Sequence, residues 1–552
     1  MNRLTSYLLI TFLALSTALK AAPPRTPLGI YAVVNIMEYE NEYKKTNPSA
    51  TAAELETYFK KTVYPGLLSN DSVSGIALYE TWAMLNPNPP SSSNPYDWSL
   101  LQDLFDQVAL WNSDHPSFPA KKIQLVITPG FNSPQWLKDE ILSCDYLFSL
   151  ALPIPPLGST CGEATFSGFV EGGVVDGKPI AMVLPMPWDP TYKSAWKTFL
   201  TELNSKYGSN SSLVSISVAG PTASSEEMIL PAARNTNKSA TQIGGLTPEQ
   251  MWSKLLNYQY SNPAYQDSDQ AFIDEWKNAI NMFGTIFSGL TLIVATGDGL
   301  PNLTTCEIST ATTCTFTLPV DPVIDFAKVC PVANMDCAAE TTILAYFTQG
   351  TVGGSNAKST QTDGMKASGN DKFNLGVPSV KLISQSTDLF TLPSKRILGG
   401  SQFAKSFSTF PVEEGCTAVF PPKKYANVND VPVGKIPAAC LNPDNTKTLQ
   451  ELGFTTFDQK TEAAYLISPE QAAYNVLTWF FDNTASGSFY SGTNGSAPLN
   501  YVQIYGPDIT YASGHLSEKA RVVMGGTTVK ITAQNLLNEA SESLGLIAEY
   551  FY

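Results

Sequence analysis

Two histidines in 552 residues leave little room for histidine chemistry. Ser-His-Asp and Cys-His catalysis each need an imidazole beside the nucleophile. His115 falls in a loop ahead of a predicted strand, at the end away from the strand tips. His515 follows the last predicted strand, and no Gly-x-Ser-x-Gly elbow accompanies it. No Gly-x-Gly-x-x-Gly follows the first predicted strand and no phosphate loop occurs. Neither nucleotide binding nor a hydrolase triad is therefore indicated, and no cofactor is implied. Charge is also sparse, at 15% of residues, and of one prevailing sign: the net charge is -15. Such a surface repels a phosphate backbone, so nucleic acid is not an expected partner. Beyond the first 22 residues no run reaches the ~20 apolar residues of a spanning helix.

What is present starts with an address. Arg3 precedes an apolar run from Tyr7 to Leu19, followed by Lys20-Ala-Ala-Pro-Pro. Residues 1–22 are expected to be a signal peptide, with Lys20 an imperfection at the cleavage site. Residues 23–552 are then a secreted, periplasmic or extracellular chain with no membrane attachment after cleavage. The eight cysteines agree with export, since an even count in an exported chain reads as disulfides. Pairing neighbours gives 144–161, 306–314, 330–337 and 416–440. No Cys-x-x-Cys occurs, and neither histidine lies near a cysteine, so a metal site is not expected.

Short apolar, β-branched runs bounded by turn residues predict strands at 28–36, 73–78, 123–128, 213–219, 290–296, 357–361, 396–400 and 501–505. Helical periodicity falls between them, at 52–63, 98–111 (with Asp97 as cap), 192–207, 247–258, 271–287, 469–481 and 529–546. Strand alternating with helix implies a parallel sheet, and eight such units fit an α/β fold of the (β/α)8 TIM-barrel type. All four cysteine pairs fall after a strand and before a helix. The expectation is one decorated barrel domain, whose long insertions at 138–185, 300–340 and 404–460 are disulfide-stapled βα loops round one mouth.

With histidine scarce, carboxylates are the expected proton carriers. Glu226 and Glu227 follow the fourth predicted strand, where a (β/α)8 enzyme places catalytic groups. Cleaving a glycosidic bond needs one carboxylic acid on the leaving oxygen and a second carboxylate opposite it. The apolar Met228-Ile-Leu-Pro beside them suits an acid kept protonated. Flat rings and amides are the expected sugar contacts. Trp82, Trp136, Trp188, Tyr505 and Tyr511 supply rings, and Asn35, Gln135, Gln361 and Gln402 supply amides.

Ser217-Val-Ala-Gly-Pro-Thr-Ala-Ser-Ser-Glu-Glu-Met-Ile-Leu-Pro is similar to the strand-four segment of β-amylases and related clan A glycoside hydrolases. Gly75-Ile-Ala-Leu-Tyr-Glu-Thr-Trp, with Tyr96-Asp-Trp-Ser beyond it, looks like the same families' second strand and helix start. Ile123-Gln-Leu-Val-Ile-Thr-Pro-Gly-Phe-Asn-Ser-Pro-Gln-Trp resembles their third. The likeness covers about the first half of the chain. It implies a glycoside hydrolase acting on an oligo- or polysaccharide, with Glu227 as the acid and Glu226 as the alternative. The families' second carboxylate follows strand seven, where this chain has Gln402. The partner is left open among Asp508, Asp363, Glu413, Glu414, Glu80 and Asp298, with Glu80 and Asp298 expected to face the mouth by register. The amide at 402 also keeps open a barrel that binds sugar without cutting it, and the long loops keep open a structural exported protein.

Overall fold

In the computed structural model, the described residues run from 25 to 301, with short interruptions, and from 501 to 551. Between these spans only short strands and a few residues near 470–477 are described. Eight strands form one sheet: β1 (Gly29–Asn35), β2 (Val73–Thr81), β3 (Lys122–Thr128), β4 (Leu213–Ser217), β5 (Thr291–Ile293), β6 (Ser359–Gln361), β7 (Ile397–Ser401) and β8 (Tyr501–Tyr505). Their spatial order is β6-β7-β8-β1-β2-β3-β4-β5, and every neighbouring pair is parallel. This is chain order rotated by five places. The sheet curls so that Cα atoms of the edge strands β5 and β6 come within 8 Å of each other.

The two faces of the sheet separate by residue parity. Ile30, Ala32 and Val34 of β1, and Ile76 and Leu78 of β2, join the large core between the sheet and its helices. Tyr31 and Val33, with Ala77, Val214, Ile293 and Tyr501, form a smaller cluster inside the curl. Successive side chains of a strand point to opposite faces, and both faces here are covered. That is why β1 reads as an unbroken apolar run.

The interior is polar at its middle. Tyr79 donates its hydroxyl hydrogen to Gln503 Oε1 at 2.9 Å, and Gln503 Nε2 donates to Gln124 Oε1 at 2.8 Å. One chain of hydrogen bonds thus joins β2, β8 and β3 across the curl.

The outer layer includes Ser99–Asp114, Pro190–Tyr207 and Gln270–Ile286. Asp189 starts the second of these: its carboxylate accepts from Tyr192 N–H at 2.8 Å, ahead of Pro190 in the first turn. Asp97 acts one residue earlier than a strict cap, accepting from Ser99 N–H at 3.0 Å while Trp98 holds the cap position.

Three elements depart from the sequence expectation. A helix at Ile36–Thr46 follows β1 directly. Its sequence is mostly Glu, Lys, Asn and Tyr, and Ile36 is its buried residue, so it has no apolar stripe to read. The expected helix at 529–546 is displaced to Ala533–Phe551. Residues 529–531 instead belong to Thr527–Ile531, a β-branched strand paired antiparallel with Ala520–Met524. Inside the insertion at 138–185, Glu163–Ser167 pairs antiparallel with Ala181–Pro185.

Disulfide stapling of all the loops is not supported. Cys144–Cys161 is the disulfide among the described residues. The other three expected pairs, 306–314, 330–337 and 416–440, lie outside them. The 17-residue separation of Cys144 and Cys161 corresponds to about 3 kcal/mol in the chain-entropy account. Among the described residues no helix is long and apolar enough to cross a membrane.

Candidate functional site

Because all eight strands run parallel, their C-terminal ends open on one side. The loop after β4 carries Glu227 there, and Glu227 is only 7% exposed. Its backbone is held tightly. Glu227 N–H donates to Ser225 Oγ at 3.2 Å, Ile229 N–H to Glu227 O at 2.8 Å, and Ala223 N–H to Ile229 O at 2.7 Å. Trp276 Nε1 donates to Pro221 O at 3.2 Å and Trp252 Nε1 to Pro231 O at 2.8 Å, anchoring the loop to the helical layer at both ends. Glu226 lies outside the described residues.

The loop after β3 braces this segment. Asn132 Nδ2 donates to Thr128 Oγ1 and to Ser224 O, both at 3.0 Å. Gly130 has φ +70°, and an added Cβ would lie 2.2 Å from Ala223 O. Glycine is needed here both for the left-handed backbone and for the close approach. The same loop walls a cavity of about 450 Å³ bordered by Glu40, Thr81, Asn132, Gln135, Lys138 and Met37. Thr81 ends β2, and the others come from the segments that follow β1 and β3. Burial lowers the Lys138 ammonium, which donates to Phe131 O at 2.7 Å.

Glu80 does not face the mouth as expected. Ala77 and Tyr79 occupy the interior parity, which turns Glu80 outward with Ile76 and Leu78. The Glu80 carboxyl is 2% exposed; Oε1 accepts from Thr81 N–H at 2.9 Å, and Oε2 has no partner among the described residues. Burial pushes it up to about 8, partly opposed by the Thr81 N–H and reinforced by Glu40 and Asp97. It is a neutral acid at neutral pH, packed under the helices.

Trp82 and Trp188 are also core residues rather than sugar platforms. Trp82 is fully buried, with ring centroids 4.8 Å from Trp196 and 5.8 Å from Tyr192, and its Nε1 donates to Asn86. Trp188 packs against Trp252 and Phe272. Trp136 is half-buried and donates to Asn86 O at 2.9 Å. Asn35 caps the helix after β1, accepting from Glu38 N–H at 3.4 Å. Gln135 lines the cavity and donates to Asp139.

Tyr505 closes β8 beside the interior cluster. Asp508, fully buried, sits in the first turn of Gly506–Gly514; burial chiefly pushes the Tyr39 phenol up, and Tyr58 and then Asp508 add to it. Tyr511 donates to Glu470 at 3.1 Å and stacks on His515. Asp298, Asp363, Gln402, Glu413 and Glu414 lie outside the described residues, and only the backbone of Gln361 is described.

The sequence reading passed over Glu40, Asn132, Lys138 and Glu163. Asn132 stood within the Gly-Phe-Asn-Ser-Pro motif and was legible there. Glu163 was not, because its role depends on a hairpin the sequence does not announce. Its carboxyl is pushed up to about 7, chiefly by burial and then by Asp145, with Lys138 opposing. No group of three or more His, Cys, Asp or Glu side chains among the described residues is placed to hold a metal.

No family model and no curated protein matches the chain. The likeness of Ser217–Pro231 to a β-amylase strand-four segment therefore rests on those residues alone. Solved structures similar in outline include a xylanase from Cellvibrio japonicus, at 8% identity and TM-score 0.34, covering 94% of this chain and 97% of that one. A β-galactosidase from the psychrophilic Marinomonas ef1 matches at 9% identity and TM-score 0.36, covering 95% of this chain and 60% of that one. A GH10 xylanase with a bacterial Ig-like domain, from termite gut, matches at 10% identity and TM-score 0.35, over 96% and 79% of the two chains.

Proposed function

We propose that the chain is a secreted (β/α)8-type glycoside hydrolase in which Glu227 is the general acid. The observation that supports this reading most is the junction at the strand ends. A buried glutamate on the β4 loop, which does not itself line the cavity, is tied through Ser224 and Asn132 to the wall of a cavity bordered by both polar and apolar side chains. Amide, hydroxyl, carboxylate and ammonium groups on one rim suit the many hydroxyls of a saccharide. A general acid needs to carry a proton before it donates to the glycosidic oxygen, and a carboxyl on the β4 loop is the group proposed to do so. The second carboxylate is proposed from the segments after β6 to β8. Asp508 is the described candidate among them, and Glu80 is removed from the set by its outward orientation. The Cys144–Cys161 bridge supports the proposed export, since disulfides persist in oxidising compartments.

The test is saccharide release from a glycan panel, followed by Glu227→Gln on whatever substrate is cut. The expected result is a fall in kcat of roughly two to four orders of magnitude, the usual worth of a general acid. Unchanged turnover in Glu227→Gln removes that role. A second reading, a carbohydrate binder without turnover, is supported by the amide at position 402. Retention of a glycan without release of product would select it.

A further inference from the structure

A second concavity lies away from the strand-end cavity, between the helices Pro190–Tyr207 and Gln270–Ile286. It encloses about 390 Å³, within the ~300–1,000 Å³ range of small-molecule sites. Its walls include Trp196 from one helix and Ala279, Met282 and Ile286 from the other, and its base is Ala219-Gly220-Pro221 at the end of β4. The base is rigid. A Cβ on Gly220 would lie 2.6 Å from the Trp276 ring, whose Nε1 holds Pro221 O. Lys193 and Glu275, one from each helix, pair at 2.7 Å beside the opening.

Charge gives the cleft a preference. Lys193 and Lys197 face one Glu275, so the lining carries one positive charge in excess on a protein whose net charge is -15. Lys197 is exposed at the rim, with no carboxylate partner among the described residues.

We infer that this cleft is a binding site for a small amphipathic anion: an apolar ring system or short chain carrying one acidic group. The apolar body covers Ala279, Met282 and Ile286, and the acidic head lies toward Lys197. The inference does not depend on sugar cleavage.

The probe is 8-anilino-1-naphthalenesulfonate, followed by its fluorescence on titration into the full chain, with uncharged N-phenyl-1-naphthylamine in parallel. Saturable binding at one site per chain is expected. Lys197→Glu lies on an exposed helical position and leaves the core intact. It should weaken the sulfonate roughly threefold to tenfold and leave the uncharged probe within about twofold. Ala279→Trp fills the cleft and should weaken both probes by about tenfold or more. Unsaturable binding overturns the inference, and so does equal affinity of Lys197→Glu and the unaltered chain for the sulfonate. Loss of both probes in Lys197→Glu would also overturn it, by showing that the substitution acts through the fold.

Discussion

At Glu80 the chain keeps a carboxyl where water cannot reach it. A neutral acid is the cheaper occupant of such a site, because burial penalises the charged form. The sign of its pH dependence follows. The folded-state value, about 8, lies above the ordinary carboxylate range, so the folded chain holds this proton more tightly than the unfolded chain. The associated stability is complete below about pH 4.5 and is lost as pH rises towards 8; above that the loss is constant. At full shift it amounts to on the order of 3–5 kcal/mol. Glu80→Gln keeps an acceptor for Thr81 N–H and never ionises. Urea unfolding at pH 5 and pH 8 should show the unaltered chain losing more stability between the two than the variant does, and the variant the more stable of the two at pH 8. Equal losses would place the carboxyl in water. Nothing in the sequence around Glu80 announces this. Its place after an apolar strand is legible, but which face it takes depends on where β2 ends, and the strand runs three residues past the apolar run, to Thr81. Trp82 was misread for the same reason: position past a strand is visible, but that the ring turns under the helix Pro190–Tyr207 is not.

The brace between the loops after β3 and β4 is built from an element only three residues long, the turn Gly130–Asn132. Its strength comes from backbone approach rather than from side-chain area, so a single methyl group tests it. Gly130→Ala places a Cβ 2.2 Å from Ala223 O at a positive φ. The expected cost is about 1–3 kcal/mol in urea unfolding. If Glu227 acts as proposed, turnover should fall as well, because the displaced segment carries it. Gly66, in the helix Tyr64–Leu68, is the control. A Cβ there meets nothing within 4 Å, and Gly66→Ala should be neutral or stabilising by up to about 1 kcal/mol. A Gly130→Ala chain as stable as the control would remove the brace. Elements of this kind escape a sequence reading because periodicity needs length. The sixteen-residue helix Ser99–Asp114 and the eighteen-residue helix Pro190–Tyr207 were legible from their apolar stripes. The helix after β1 was not, since almost every position on it is polar.

At the scale of the whole molecule, the strand order places the last strand against the first. β1 pairs with β8 from Gly29–Tyr501 to Val33–Tyr505, joining residues some 470 positions apart in sequence. Alternation of strand and helix made the parallel sheet legible, because parallel neighbours require crossovers and the helices supply them. The pairing of chain ends follows once eight units are arranged in a ring. The polar chain across the interior does not follow, because Tyr79, Gln124 and Gln503 are ordinary strand residues until the curl brings them together.

That chain makes the C-terminal segment more than a cover. A protein ending at residue 500 would leave one edge of β1 unpaired, and would strip Gln503 from between Tyr79 and Gln124 inside the sheet. Unpaired buried polar groups and an open apolar edge strand each disfavour the compact state. Residues 25–500 alone should therefore lack a cooperative urea transition by circular dichroism and should self-associate. Addition of a peptide spanning residues 501–552 should restore the transition, because β8 and the helices behind it supply both missing sets of contacts. A sharp transition in residues 25–500, unchanged by the peptide, would mean that the sheet is held by β1 to β4 and that β8 is packed on afterwards.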